Sequence, residues 1–184
     1  MNYIFIADER EAKEVKIPKE LKNKVVKVIT GYGEYYTLKT IIKMFEKNVF
    51  KKGDKFFNVG YVGANTHKIG DVVLVGKSER ERYSSFAKNK VYTLDKTSKV
   101  KCYTADDFVE KTNHKGIFDM ELYILATIFP TIKSIKIVSD TLNLKQYTKV
   151  DLKKSWQKAN KMLFALCVVA YPTISKRKNI KENV

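Results

Sequence analysis

The stretch "KGIFDMELYILATIFPTIKSIKIVSD", Lys115 to Asp140, sets the fold class. Two apolar runs lie in it, and carboxylates stand beside both. "IFDM" leads into a helix expected over Glu121–Phe129, which Pro130 stops because proline cannot continue the hydrogen-bond ladder. "SIKIVSD", 134–140, is short and rich in isoleucine and valine, so it is expected to be a strand. Asp119 and Glu121 flank Met120 at the mouth of the first run, and Asp140 closes the second. An apolar residue at any of these places would suit a core better. The question is whether the acids do chemistry.

The same alternation extends outward. "YIFIA" (3–7), "VVKVIT" (25–30), "KFFNVGYVG" (55–63), "GDVVLVG" (70–76) and "VKCYTA" (100–105) are expected strands, nearly continuous in apolar character. After Thr30-Gly31-Tyr32-Gly33, apolar residues recur at Tyr35, Leu38, Ile41, Ile42 and Phe45, which is helical spacing. "DLKKSWQKANKMLFALCVVAY" (151–171) is expected to be a long C-terminal helix that places Trp156 in the core. Residues 77–99 are expected to be a loop with a short strand. Near-continuous apolar strands alternating with helices predict an α/β fold: a three-layer α/β/α sandwich around a mixed, mostly parallel twisted sheet.

The 184 residues suffice for one domain, expected over 1–175, with a basic tail over 176–184. No apolar run reaches the roughly 18 residues of a membrane span, and no charged segment precedes an apolar stretch at the N-terminus. Cys102 and Cys167 lie far apart in apolar surroundings and are expected to be buried, reduced thiols of a cytoplasmic protein. The net charge of +16 raises nucleic acid as a partner. The excess is spread lysine, however, with arginine only at 10, 80, 82 and 177. A nucleic-acid reader concentrates arginine for bidentate contacts, so that class is set aside. His67 and His114 have no partner at metal or triad spacing, and no metal, redox cofactor or membrane partner is indicated.

In sheets of this kind ligands bind at the carboxyl ends of strands. Those ends carry Glu11, Gly31 and Gly33, Gly60 to Gly63, Asp106 to Phe108, Glu121 and Asp140. Glycines let backbone N–H groups approach a ligand, and carboxylates accept hydrogen bonds from hydroxyls and trade protons with a ring nitrogen. Each has a plainer role open to it: Glu11 on a charged surface, Asp106 as an N-cap, Glu121 at a helix N-terminus, Asp140 opening a loop. All of them ending strands by accident is far less probable than any one. Asp119 is expected to point to the other face of its strand.

The order of these motifs resembles the nucleoside phosphorylase superfamily, and within it the 5′-methylthioadenosine/S-adenosylhomocysteine nucleosidases, from about residue 3 to 143. "IADEREAKEV" is similar to the family's opening segment and puts its water-activating glutamate on Glu11, with Glu9 and Glu14 close by. "TGYG" matches the "TGIG" turn and brings in Gly31. "NVGYVGANTHKIGDVV" resembles "NTGSAGG…GD(I/V)V", which assigns Gly60 and Tyr61 to the substrate. "TADDFV" resembles "SGD-x-F", so Phe108 stacks on the base with Val109 beside it. "DMEL" resembles "(V/D)MEA", which gives Met120 the underside of the ribose and Glu121 its hydroxyls. "VSD" resembles "ISD", giving Asp140 the purine N7 and Ser139 a supporting role.

The resemblance implies an enzyme that hydrolyses the N-glycosidic bond of a purine nucleoside, with water as co-substrate, no cofactor and a homodimer as a possible assembly. Phosphorylases of the superfamily hold phosphate with arginines, one of them where this chain has Asn58, so water is the expected nucleophile; Arg80 and Arg82 leave phosphate as the alternative. Two departures stand out. Tyr61 puts a phenol where the family has a small residue, which keeps open a non-catalytic nucleoside-binding module. Only about 25 residues separate "GDVV" from the "TADDF" strand, fewer than in the family, so 5′ specificity and assembly do not carry over.

Overall fold

One ten-residue strand organises the sheet. The computed structural model describes residues 1–82, 90–147 and 151–169. In chain order its strands are β1 (Asn2–Ile6), β2 (Val25–Ile29), β3 (Lys55–Ala64), β4 (Val72–Leu74), β5 (Lys77–Arg80), β6 (Tyr92–Thr93), β7 (Lys101–Thr104), β8 (Ile117–Asp119) and β9 (Lys133–Asp140). The helices are α1 (Glu9–Glu14), α2 (Gly33–Glu46), α3 (Leu122–Ile128), α4 (Leu144–Tyr147) and α5 (Lys153–Val169). β1 lies between β2 and the start of β3, parallel to both. β9 runs parallel along the other edge of β3, with antiparallel β4 outside it. β8, β7 and β5 continue the sheet from the far end of β3, with β6 antiparallel on β5. The sheet is mixed and mostly parallel, as expected.

Both faces are covered. Ile41 of α2 and Leu122, Leu125 and Ala126 of α3 pack with Phe5, Val62 and Val138 on one side. Ala12 of α1 and Trp156, Ala159 and Leu163 of α5 pack with Ile4, Val59 and Ile137 on the other. Burying these apolar side chains supplies about 25 cal/mol per Å² of surface removed from water, and the two clusters make the sandwich. Trp156 is 1% exposed, in the core as expected. No helix among the described residues is long and apolar enough to cross a membrane.

Within 77–99, expected to be a loop with a short strand, Tyr92–Thr93 forms β6 and Lys77–Arg80 forms β5, which pairs in parallel with Lys101–Thr104 and so belongs to the sheet's frame. Charged "KSER" hid this, because Ser78 and Glu79 are the buried positions. Asp106 caps no helix, since 105–110 is irregular. On α2 the apolar stripe is largely unburied: Ile41 is fully covered, but Tyr35 is 70%, Ile42 46% and Phe45 50% exposed. The basic tail expected over 176–184 lies outside the described residues.

Candidate active site

The topology leaves a gap. β1 accompanies β3 only as far as Asn58, and β8 joins the same edge at Gly63. Between them, residues 59–62 have no strand on that side among the described residues. A cavity of about 390 Å³ opens there, at the carboxyl ends of β1 and β9.

Glu11 enters this gap from α1. Asp8 caps the helix, its Oδ1 accepting from the Glu11 amide at 2.8 Å. The Glu11 carboxylate then takes the place of the missing strand: Oε1 accepts from Tyr61 N at 2.7 Å and Oε2 from Ala7 N at 3.3 Å. A Cβ built on Gly60 would lie 3.1 Å from both carboxylate oxygens, so the glycine makes room for the acid. Glu11 is 4% exposed. Burial pushes its carboxyl up to about 7, against the pull of the Tyr61 amide and the Lys136 charge; Glu121 pushes the same way as burial. Neighbouring Glu9 is exposed and Glu14 half-exposed.

Glu121 arrives from the opposite wall. It stands where β8 gives way to α3, but its side chain does not cap α3. Oε1 instead accepts from Gly33 N at 2.8 Å, across the start of α2. That amide points at the acid because Gly31 and Gly33 both have φ near +80°, a conformation costly for other residues. Burial first and Asp119 second push the Glu121 carboxyl up to about 7, with Lys136 opposing. Met120 lines the cavity next to it.

Asp140 ends β9. The β3–β9 register shifts between Val62 and Gly63, so that Asp140 rather than Ser139 stands opposite Gly63. A Cβ on Gly63 would come within 2.9 Å of Asp140 Oδ1. Ser139 Oγ donates to Asp140 Oδ2 at 2.9 Å, and the Leu142 amide donates to Oδ1 at 2.9 Å. Leu142 adopts φ +61°, rare for a leucine. Asp140 is 1% exposed overall and lines the cavity. Glu11 and Asp140 thus address β3 three residues apart, about 10 Å at the strand's ~3.3 Å rise.

Of the residues singled out in the sequence, Glu11, Gly60, Tyr61, Phe108, Val109, Met120, Glu121, Ser139 and Asp140 all line the one cavity; Gly31 does not, its place being taken by Tyr32. The Tyr61 phenol is turned aside. Its hydroxyl accepts from Trp156 Nε1 at 2.6 Å, and its ring meets those of Trp156 and Tyr147 edge-on. Arg80 pairs with Glu34 and Arg82 with Glu81, and neither lines the cavity. His67 bonds Thr66, and His114 stacks on Tyr103.

Asp119 is the clear correction. It does not turn to the other face: it lines the cavity, and its Oδ2 lies 2.7 Å from Nζ of the buried Lys136. Strand alternation gave the wrong side because β8 is only three residues long and Asp119 is its last. Lys136 was missed altogether. In "SIKIVSD" it is the one charge inside an apolar strand, and that was the available signal.

No protein-family model and no curated protein matches the chain. Solved structures do, and they define its class: the architecture is the nucleoside phosphorylase/nucleosidase fold. The chain is similar to the 5′-methylthioadenosine/S-adenosylhomocysteine nucleosidase of S. pneumoniae, solved with a transition-state inhibitor: TM-score 0.70, 17% identity, over 89% of this chain and 96% of that one. It is similar to futalosine hydrolase of Helicobacter pylori, with TM-score 0.71 and 13% identity over 90% and 96%. The corresponding nucleosidase of Neisseria meningitidis, in complex with methylthio-immucillin-A, gives TM-score 0.66 and 15% identity over 88% and 96%. At these identities the likeness is one of fold.

Proposed function

We propose that the chain is a nucleosidase that hydrolyses the N-glycosidic bond of a purine nucleoside, a methylthioadenosine- or S-adenosylhomocysteine-like N-riboside. The observation carrying this reading is the convergence of three buried carboxyls, Glu11, Glu121 and Asp140, on one cavity from three separate chain segments. Buried acids are costly unless paired, hydrogen-bonded or used; Asp119, the fourth buried acid of the cavity, is paired with Lys136, whereas these three make no salt bridge among the described residues.

Each acid has a role. Asp140, fixed by Ser139 and the Leu142 amide, protonates N7 of the departing purine. Glu121 accepts hydrogen bonds from the ribose hydroxyls and sets negative charge beside the oxocarbenium-like transition state. Glu11, pushed up to about 7, takes a proton from the attacking water; a general base works best with a pKa near ambient pH. Phe108 and Val109 supply an apolar wall for the base. The separation of about 10 Å along β3 suits a proton delivered to the base at one end and water at the other.

Water is favoured over phosphate as nucleophile. Arg10 is the one arginine among the described lining residues, and its Nε is engaged by Asp8 at 2.9 Å. The test is to incubate the protein with methylthioadenosine, S-adenosylhomocysteine, adenosine and inosine, with and without phosphate, and to assay free base by chromatography. Base released without phosphate supports hydrolysis. Release only with phosphate makes the chain a phosphorylase, and release from none leaves a binding module.

A further inference from the structure

The cavity has two chemically different ends. At one lie Asp140, Ser139 and Leu142, grouped around Gly63. At the other, beyond Glu11, a polar clasp joins three separate segments. Arg10 Nη2 donates to the Tyr32 hydroxyl at 2.7 Å and to the Tyr147 hydroxyl at 3.3 Å, while its Nε donates to Asp8. Arg10, Tyr32 and Tyr147 all line the cavity. Asp8 is fully engaged: Oδ1 takes the Glu11 amide, and Oδ2 takes Arg10 and the Tyr32 hydroxyl. Two donors remain without a partner among the described residues, Arg10 Nη1 and the Tyr147 hydroxyl proton.

A nucleoside is a three-part rod of base, ribose and 5′ group. This inference rests on the nucleosidase reading above, which puts the base on Asp140 and the ribose on Glu121. The 5′ group then falls at the clasp. The Arg10 side chain is 70% exposed, so an apolar 5′ group costs it little but gains no hydrogen bond from the guanidinium or the phenol. A 5′ acceptor satisfies both, and an anionic one does so with charge-assisted bonds.

We propose that Arg10, aided by Tyr147, selects the substrate at its 5′ position, favouring ribosides whose 5′ group accepts hydrogen bonds, a carboxylate above all, over those ending in an apolar thioether. Tyr32 and Asp8 hold the guanidinium in place.

The test compares adenosine 5′-carboxylic acid with methylthioadenosine. Binding is measured by calorimetry on Asp140→Asn protein, with chromatography confirming that the ligand stays intact, and base release is followed in parallel on the wild-type protein. The carboxylate is expected to bind at least about tenfold more tightly, the size of one charge-assisted hydrogen bond. Arg10→Met is expected to erase that preference and Tyr147→Phe to reduce it. Equal binding of the two ligands, or a preference that survives Arg10→Met, overturns the inference and leaves the nucleosidase reading standing. A carboxylate preference lost in Arg10→Met, without base release from either compound, sinks the nucleosidase reading and leaves Arg10 as the 5′ determinant of a binding module. If neither ligand binds, both fall.

Discussion

Lys136 Nζ and Asp119 Oδ2 lie 2.7 Å apart with both side chains 1% exposed, a buried ion pair in the wall of the cavity. Burial pulls the lysine's pKa down and the charge on Asp119 more than offsets it, so the ammonium is held charged. Asp119 has further ties, accepting from Thr104 Oγ1 at 2.6 Å and from the Leu122 amide at 3.1 Å. The pair therefore joins β9, β8, β7 and the start of α3.

Removing one partner of a buried pair strands the other charge. Lys136→Met is expected to cost about 3–5 kcal/mol in urea unfolding. Adding Asp119→Asn should restore much of that loss, because the stranded charge disappears with it. A double variant no more stable than Lys136→Met alone would show that the pair is not the source of the cost.

Asp140→Asn keeps the size of the side chain and removes the transferable proton. Base release is expected to fall about 10²–10⁴-fold, the usual worth of general acid catalysis, with a thermal midpoint close to that of the wild-type protein. Full activity in a folded Asp140→Asn protein would end the mechanism proposed above.

Glu11 and Glu121 hold their protons more tightly in the fold than in the unfolded chain, about 7 against an ordinary 4.5. The folded protein thus carries extra protons between those values. Stability is greatest below about pH 4.5 in respect of these groups and falls as pH rises through 7, by on the order of 3 kcal/mol for one such carboxyl. Glu11→Gln mimics the protonated form, so it should be more stable than wild type at pH 8 and little different at pH 5. Denaturation curves at the two pH values decide this. Turnover has the opposite slope, rising through about pH 7 as Glu11 becomes a competent base.

Gly60→Ala places a methyl group against the Glu11 carboxylate, 3.1 Å from each oxygen. The carboxylate must shift by a few tenths of an ångström. The expected result is a loss of turnover with a small change in stability. Gly116→Ala is the contrast: its Cβ meets the Lys101 carbonyl at 2.6 Å, backbone that cannot move aside, so it should destabilise the sheet. Equal effects of the two substitutions on stability would contradict this steric account.

The strand ends were legible because each apolar run stops at a glycine or an acid, and the α/β alternation needed only periodicity. Glu11, Glu121 and Asp140 therefore stand out in the sequence. Three features did not. β5 carries its buried residues as Ser78 and Glu79, which no hydropathy pattern marks. The Lys136–Asp119 pair depends on a cross-strand juxtaposition of residues 17 apart. The Arg10 clasp gathers α1, the turn before α2, and α4, and its members are unremarkable singly. The gap in the edge of β3 is also a property of register, which local sequence does not state.

Trp156 is the chain's only tryptophan. Its indole N–H is bound to the hydroxyl of Tyr61, a residue that also lines the cavity. The core of the molecule therefore ends in a fluorophore wired to the wall of its own pocket. Occupancy of that pocket can be followed by intrinsic emission, with no label and no coupled enzyme, and Tyr61→Phe supplies the control that disconnects the reporter.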